Sequence, residues 1–211
     1  MQGIHYRDRV EALEETWACW ARTSRTLADD GWARPSRCAG WDVAALYAHV
    51  GMFPVAVRNA PLLPADPGTP LTAVGILRGF NAPGGVAHGM ATEVADAAVR
   101  SAAGAGPDGL RHTFIEDAPR AIEVLRGHDP GDLVPWPATG GVTTWGEALR
   151  IVLLESAVHL LDVLDALDRA PDVPEPALRE AAHLLAEVAD PVTLVEAATG
   201  RTTAGVFPVL R

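Results

Sequence analysis

The stretch Ala148-Leu149-Arg150-Ile151-Val152-Leu153-Leu154-Glu155-Ser156-Ala157-Val158-His159-Leu160-Leu161-Asp162 decides how the chain folds. Leu149, Leu153, Ala157, Leu160 and Leu164 recur at spacings of three and four, which lines one face of an α-helix with apolar side chains. Just upstream, Thr144-Trp145-Gly146-Glu147 has the S/T-x-x-E form of a capping box, so this helix should open after Thr144 and run to about Asp168. Its other side carries Glu155, His159 and Asp162, flanked by Ala148 and Val152 on one hand and Ile151 and Val158 on the other. A solvated face would be wider and more charged, although an ordinary polar face is the simplest alternative reading.

The same periodicity organises the rest of the chain. Val10, Leu13, Trp17, Trp20 and Leu27 predict a long amphipathic helix over about residues 6–30, and Val43, Leu46, Tyr47 and Val50 predict a second, ended or kinked at Pro54. Four prolines between Pro61 and Pro70 predict a loop, and the Ala-rich stretch from about Val86 to Arg126 predicts helix on both sides of Gly104-Ala105-Gly106-Pro107-Asp108-Gly109. That hexapeptide formally matches a dinucleotide-binding glycine pattern, but a helix former precedes it where a strand is required, so it is read as a turn between helices. His128–Val142 reads as a second loop rich in Gly and Pro. Pro176 falls in the first turn of a further helix, and a shorter segment runs from Pro191 to Gly200, ahead of an apolar tail that includes Val206 and Phe207. The expectation is an all-α four-helix bundle over residues 1–168, with a short C-terminal extension, 169–211, packed on it.

Composition narrows the function. A chain of 211 residues with 48% hydrophobic and 21% charged residues can bury its own core without a disulfide or structural metal. The net charge of −10 repels phosphate backbones and anionic membranes, which argues against nucleic acid as a partner. All 17 basic residues are arginine, so chemistry that depends on a lysine, such as a Schiff base or a Walker-type site, is excluded. No apolar run approaches the roughly 20 residues that span a bilayer. The charged Met1–Arg9 segment and the isolated pair Cys19 and Cys38 set the expectation of a reduced, cytoplasmic protein.

Glu155 and His159 lie four apart, so their heads share one helix face and could hold a common divalent ion. A third ligand must come from another helix. His49 is the best candidate, because it lies on an otherwise apolar surface with Ala45 and Leu46; taken alone, it reads more often as a hydrogen-bonded core residue. Cys38 sits in a turn without thiol–metal spacing, and Trp41 is expected to pack the start of the second helix. His5, His88, His112, His128 and His183 have no paired spacing, and the neighbours Glu14-Glu15 and Glu116-Asp117 point apart.

Pro35-Ser36-Arg37-Cys38-Ala39-Gly40-Trp41-Asp42-Val43, followed by Leu46 and His49, resembles a stretch of the mycothiol-dependent maleylpyruvate isomerase family, whose metal-binding domain belongs to the DinB-like superfamily. Glu155-x-x-x-His159-x-x-Asp162 resembles that family's second motif, and Ala197–Arg201 with Pro208–Arg211 resembles the ending of its shorter members. The resemblance implies a DinB-like four-helix bundle and one divalent metal, usually zinc, held by two His and one Glu; those roles fall on His49, Glu155 and His159. Asp162 would then support His159 or face solvent. A His₂Glu set leaves a coordination position open, as catalytic zinc sites do. Larger family members carry a further α+β domain that supplies an arginine for the substrate carboxylate. Only residues 169–211 follow Asp168 here, so the resemblance leaves isomerisation of maleylpyruvate itself an open question. Arg201 could bind an anion, but an arginine after a Gly-ended helix more often caps carbonyls.

The resulting expectation is a metal-dependent transferase or isomerase that uses a low-molecular-weight thiol, mycothiol, as cosubstrate against a small electrophile. A non-catalytic metal-binding small-molecule or interaction protein, and a hydrolase using zinc-bound hydroxide with Asp162 as base, are the alternatives. The expected partners are therefore small molecules, with no membrane or nucleic acid, and a homodimer is left open.

Overall fold

Helix α1 spans Tyr6–Arg25 and buries Val10, Leu13, Trp17 and Trp20, the stripe its spacing predicts. The computed structural model describes residues 5–61, 68–82, 84, 85, 89, 91–202 and 208–210. A short 3₁₀ turn, Asp29–Ala33, leads to α2, Val43–Asn59, which opens with the Asp42 side chain accepting from the Ala45 N–H at 2.8 Å. Helix α3 covers Ala73–Asn81, α4 covers Ala91–His112 with a further π-type turn through Asp117, and α5 covers Ala118–Arg126. A two-stranded antiparallel hairpin follows, β1 (Leu133–Trp136) and β2 (Gly141–Thr144), then α6 (Trp145–Ala166), α7 (Glu175–Val188) and α8 (Pro191–Ala198).

The fold is all-α. Helices α1, α2 and α6 and the arm formed by α4 and α5 surround one apolar core, in which Trp20 stacks on Phe114 at 5.0 Å and meets Tyr47 edge-on at 4.7 Å. The polar atoms of these rings are all used, as burial demands. Trp17 Nε1 donates to Ser156 Oγ and Trp20 Nε1 to the Ser156 carbonyl, both at 3.0 Å, while the Tyr47 hydroxyl donates to the Trp20 carbonyl at 2.9 Å. These bonds tie α1 to α6 one residue after Glu155 and to α2 two residues before His49. A smaller apolar cluster joins α3 and α7 to α6 through Ile76, Leu77, Ile151, Leu154, Ala181 and Leu184.

Three expectations need correction. Pro54 does not end α2, because Val50, Pro54 and Val57 continue its buried face and hold the helix together across the missing N–H. The 128–142 segment is not loop alone: Leu133 pairs with Thr144 and Trp136 with Gly141, in strands of four residues each, too short to show alternation. The Glu147 side chain does not close a reciprocal capping box either. Thr144 Oγ1 does accept from the Glu147 N–H, but the Glu147 carboxylate accepts from the Ala73 N–H at 2.7 Å and so fixes the start of α3. The glycine-rich hexapeptide is indeed a break between helices, confined to Gly106 at φ 61° ahead of Pro107. Among the described residues no helix is long and apolar enough to cross a membrane. Residues 62–67 of the proline-rich loop, His88, and Val206 and Phe207 lie outside the described residues.

Candidate metal centre

His49 on α2 and Glu155 and His159 on α6 meet at one point. His49 Nε2 lies 3.3 Å and His159 Nε2 3.4 Å from the same carboxylate oxygen, Oε2 of Glu155, and one ligand atom from each residue lies within 4.8 Å of the others. The side chains are 15%, 28% and 16% exposed respectively, so the cluster is half-buried yet reachable from solvent. A tetrahedral ion with bonds of roughly 2.0–2.1 Å spaces its ligand atoms about 3.3–3.4 Å apart. The two N···O separations match that spacing and the two imidazole nitrogens lie within 4.8 Å of each other, so this donor set is compatible with a divalent cation such as zinc.

Asp162, one turn further along α6, is 4% exposed and is not a solvent-facing residue. Its Oδ2 accepts from His159 Nδ1 at 2.8 Å and from the Cys38 thiol at 3.2 Å, and its Oδ1 accepts from Arg37 Nε at 2.6 Å. With Nδ1 held as the N–H, His159 presents Nε2 to Glu155 and His49, the orientation a metal ligand needs. Cys38 thus belongs to a second group, with His159 and Asp162, whose ligand atoms also lie within 4.8 Å of one another. Sequence reasoning missed this contact because it joins residues 124 positions apart with no shared periodicity.

The loop that delivers Arg37, Cys38 and Trp41 is held by its own backbone. The Trp41 N–H donates to the Cys38 carbonyl at 3.0 Å across a turn whose third residue, Gly40, sits at φ 82°, a left-handed value that glycine adopts without strain. Ser36 donates through both its N–H, at 2.9 Å, and its hydroxyl, at 2.8 Å, to the Trp41 carbonyl. Trp41 does more than pack the helix start: its ring lies 4.8 Å from that of His49 and 5.8 Å from that of His159, forming an aromatic wall beside the cluster.

Electrostatics follow from this crowding. Burial pushes the Glu155 carboxyl up, but hydrogen bonds and charge from His159 and His49 outweigh it and hold the group well below the usual carboxylate range. Burial disfavours a charged His159, yet hydrogen bonding with Asp162, Cys38 and Glu155, and the Glu155 charge, raise it to about 11. Asp162 is likewise pushed up by burial and brought down further by its bonds to His159, Arg37 and Cys38. The cluster therefore favours a positive charge between Glu155 and Asp162.

The other candidates stay apart. His128 pairs with Asp132 at 3.1 Å and stacks on Trp145 at 5.8 Å, and His183 approaches the Glu187 carboxylate at 3.7 Å. Arg201 donates to the Thr199 carbonyl at 3.4 Å, the capping role. Cys19 and Cys38 are both free thiols.

Comparison with known proteins places this geometry in context. The sequence model of one family, the mycothiol maleylpyruvate isomerase N-terminal domain, matches residues 13–164. Among solved structures, the crystal structure of a mycothiol-dependent maleylpyruvate isomerase aligns with a TM-score of 0.56 at 19% identity, covering 88% of this chain and 72% of that one. A histidine-to-alanine mutant of such an isomerase aligns with a TM-score of 0.59 at 16% identity and the same coverage. Identities this low establish a shared fold. No curated protein matches the chain.

Proposed function

Since the chain belongs to the mycothiol maleylpyruvate isomerase N-terminal domain family, we propose that it is a metal-dependent enzyme that uses mycothiol for transfer to, or isomerisation of, a small electrophile. The observation that carries this reading is the convergence of His49 and His159 on a single Glu155 oxygen, from two helices whose rotation is fixed by Trp17, Trp20 and Tyr47. A divalent cation such as zinc, bound by these three residues, would supply an open position at which a thiol ionises near neutral pH and remains nucleophilic.

The chain's own residues then have distinct tasks. His49, Glu155 and His159 hold the cation, Asp162 fixes the His159 ring through Nδ1, and Arg37 balances the Asp162 charge. Trp41 shields one side of the cluster from water. A hydrolase would need a free general base beside an attacking water, and Asp162 is already committed to three partners, so thiol chemistry is the better fit. Residues 1–168 form the metal-holding bundle in this reading and 169–211 a short C-terminal extension. A thiol cosubstrate also suits a reducing cytoplasm.

The test is conversion of an electrophilic probe with mycothiol before and after chelation. Turnover should need mycothiol, disappear when the metal is removed and return when zinc is restored. Unchanged turnover in fully metal-free protein would contradict the proposal.

A further inference from the structure

A cavity of about 610 Å³ opens directly beside the cluster, with Glu155 and His159 in its wall. This is within the usual size range of small-molecule sites, roughly 300–1,000 Å³. The rest of its wall is apolar: Leu154 and Val158 come from α6, Leu185 from α7, Leu194 from α8, and Leu210 from the C-terminal segment. Leu154 and Val158 stand one turn apart on the same helix as Glu155 and His159, so the apolar floor runs up to the candidate reacting centre.

No arginine is among the described residues that line this cavity, and the protein has no lysine. Among the described residues, the arginines of the neighbouring elements bond elsewhere. Arg37 is bound to Asp162, Arg150 to Glu180 and Glu187, and Arg78 to the carbonyls of Glu187 and Val188. At the centre itself, the negative charges of Glu155 and of a thiolate already balance a divalent cation. A carboxylate lying along Leu185 and Leu194 would therefore be desolvated without a partner.

We propose that the electrophile taken by this site is uncharged and largely apolar, its body lying in the groove between α6, α7, α8 and residues 208–210, and that the site selects against dicarboxylates. This inference rests on the thiol reading above for its chemistry and on the cavity for its selectivity. A suitable probe reaction is addition of mycothiol to benzalacetone, a neutral aryl enone. The sulfur bonds to the β-carbon, the π pair of the C=C bond moves toward the carbonyl, and the α-carbon takes a proton from water, so no oxidant or leaving group is involved.

Selectivity is measured first by binding, with the purified metal-loaded protein and benzylacetone, the saturated and unreactive ketone, against its para-carboxy derivative. The neutral ketone should bind at least about tenfold more tightly. Leu185→Arg should reverse that order, and Val158→Arg, at a position already 38% exposed and so tolerant of the change, should shift it the same way. Equal or tighter binding of the carboxylate by the unmodified protein, or an unchanged preference in Val158→Arg, would overturn the inference. Ketone binding needs no thiol. If it follows the expected pattern while mycothiol fails to add to benzalacetone, the thiol reading has failed and the apolar selectivity stands. If mycothiol adds to the carboxylated enone as fast as to the neutral one, the selectivity has failed and the thiol reading stands.

Discussion

His49→Ala, Glu155→Gln and His159→Ala should each strip the purified protein of most of its divalent metal while leaving its helical signal intact. In the proposed site these three side chains are the ligand set, so each change removes or neutralises one of its three donors. The effect should exceed the 10–100-fold loss of affinity typical when only a supporting partner of a ligand is changed, reaching more than about 100-fold. Glu155→Gln is the most informative, since it keeps the size of the side chain and a carbonyl oxygen but removes the charge that balances the cation. Folding should survive because none of the three belongs to the apolar core that joins α1, α2 and α6. His183→Ala is the control: that residue lies beside Glu187 on another helix, and the variant should retain full occupancy. Elemental analysis with zinc competition measures the outcome, and stoichiometric metal in Glu155→Gln and His49→Ala would remove the three-ligand assignment.

Trp20→Ala should cost about 3–5 kcal/mol of stability, the range for truncating a fully buried large aromatic. Trp20 is 0% exposed, stacks on Phe114 and meets Tyr47 edge-on, so a cavity would open at the junction of three helices. The same ring donates to the Ser156 carbonyl, next to Glu155, and its backbone carbonyl accepts from Tyr47, two residues before His49. The variant should therefore also bind metal more weakly, since both ligand-bearing helices lose a positional restraint. Urea unfolding followed by far-ultraviolet circular dichroism reads the stability. A loss below about 1 kcal/mol would mean that the site is oriented by other contacts.

The helices were legible because their apolar residues repeat at three and four, and Thr144 marks the first turn of α6 as its cap. Leu149, Leu153, Ala157, Leu160 and Leu164 are all buried, and α6 begins at Trp145 and ends at Ala166, close to the limits set by Thr144 and Asp168. The proximity of His49 to Glu155 and His159 was legible for a similar reason, since Glu155 and His159 share one narrow polar stripe on α6 and His49 interrupts an apolar face of α2. What lay beyond reading was carried by tertiary contact. The β1–β2 hairpin is pinned by Leu71, whose N–H donates to the Val142 carbonyl at 2.8 Å and whose own carbonyl accepts from Thr143 Oγ1 at 2.7 Å, so distant partners decide its conformation. The Cys38–Asp162–Arg37 contact likewise exists only once the turn at Gly40 is placed against α6. The apolar cavity draws its walls from three helices and residues 208–210, and no one of those segments predicts it alone.

The most direct test of the account is the ultraviolet absorbance of thiolate as mycothiol is titrated into the zinc-loaded protein at neutral pH. The account predicts that thiolate forms to one equivalent per protein chain and is absent both in Glu155→Gln and after chelation. Full zinc occupancy without any thiolate on addition of mycothiol would contradict it.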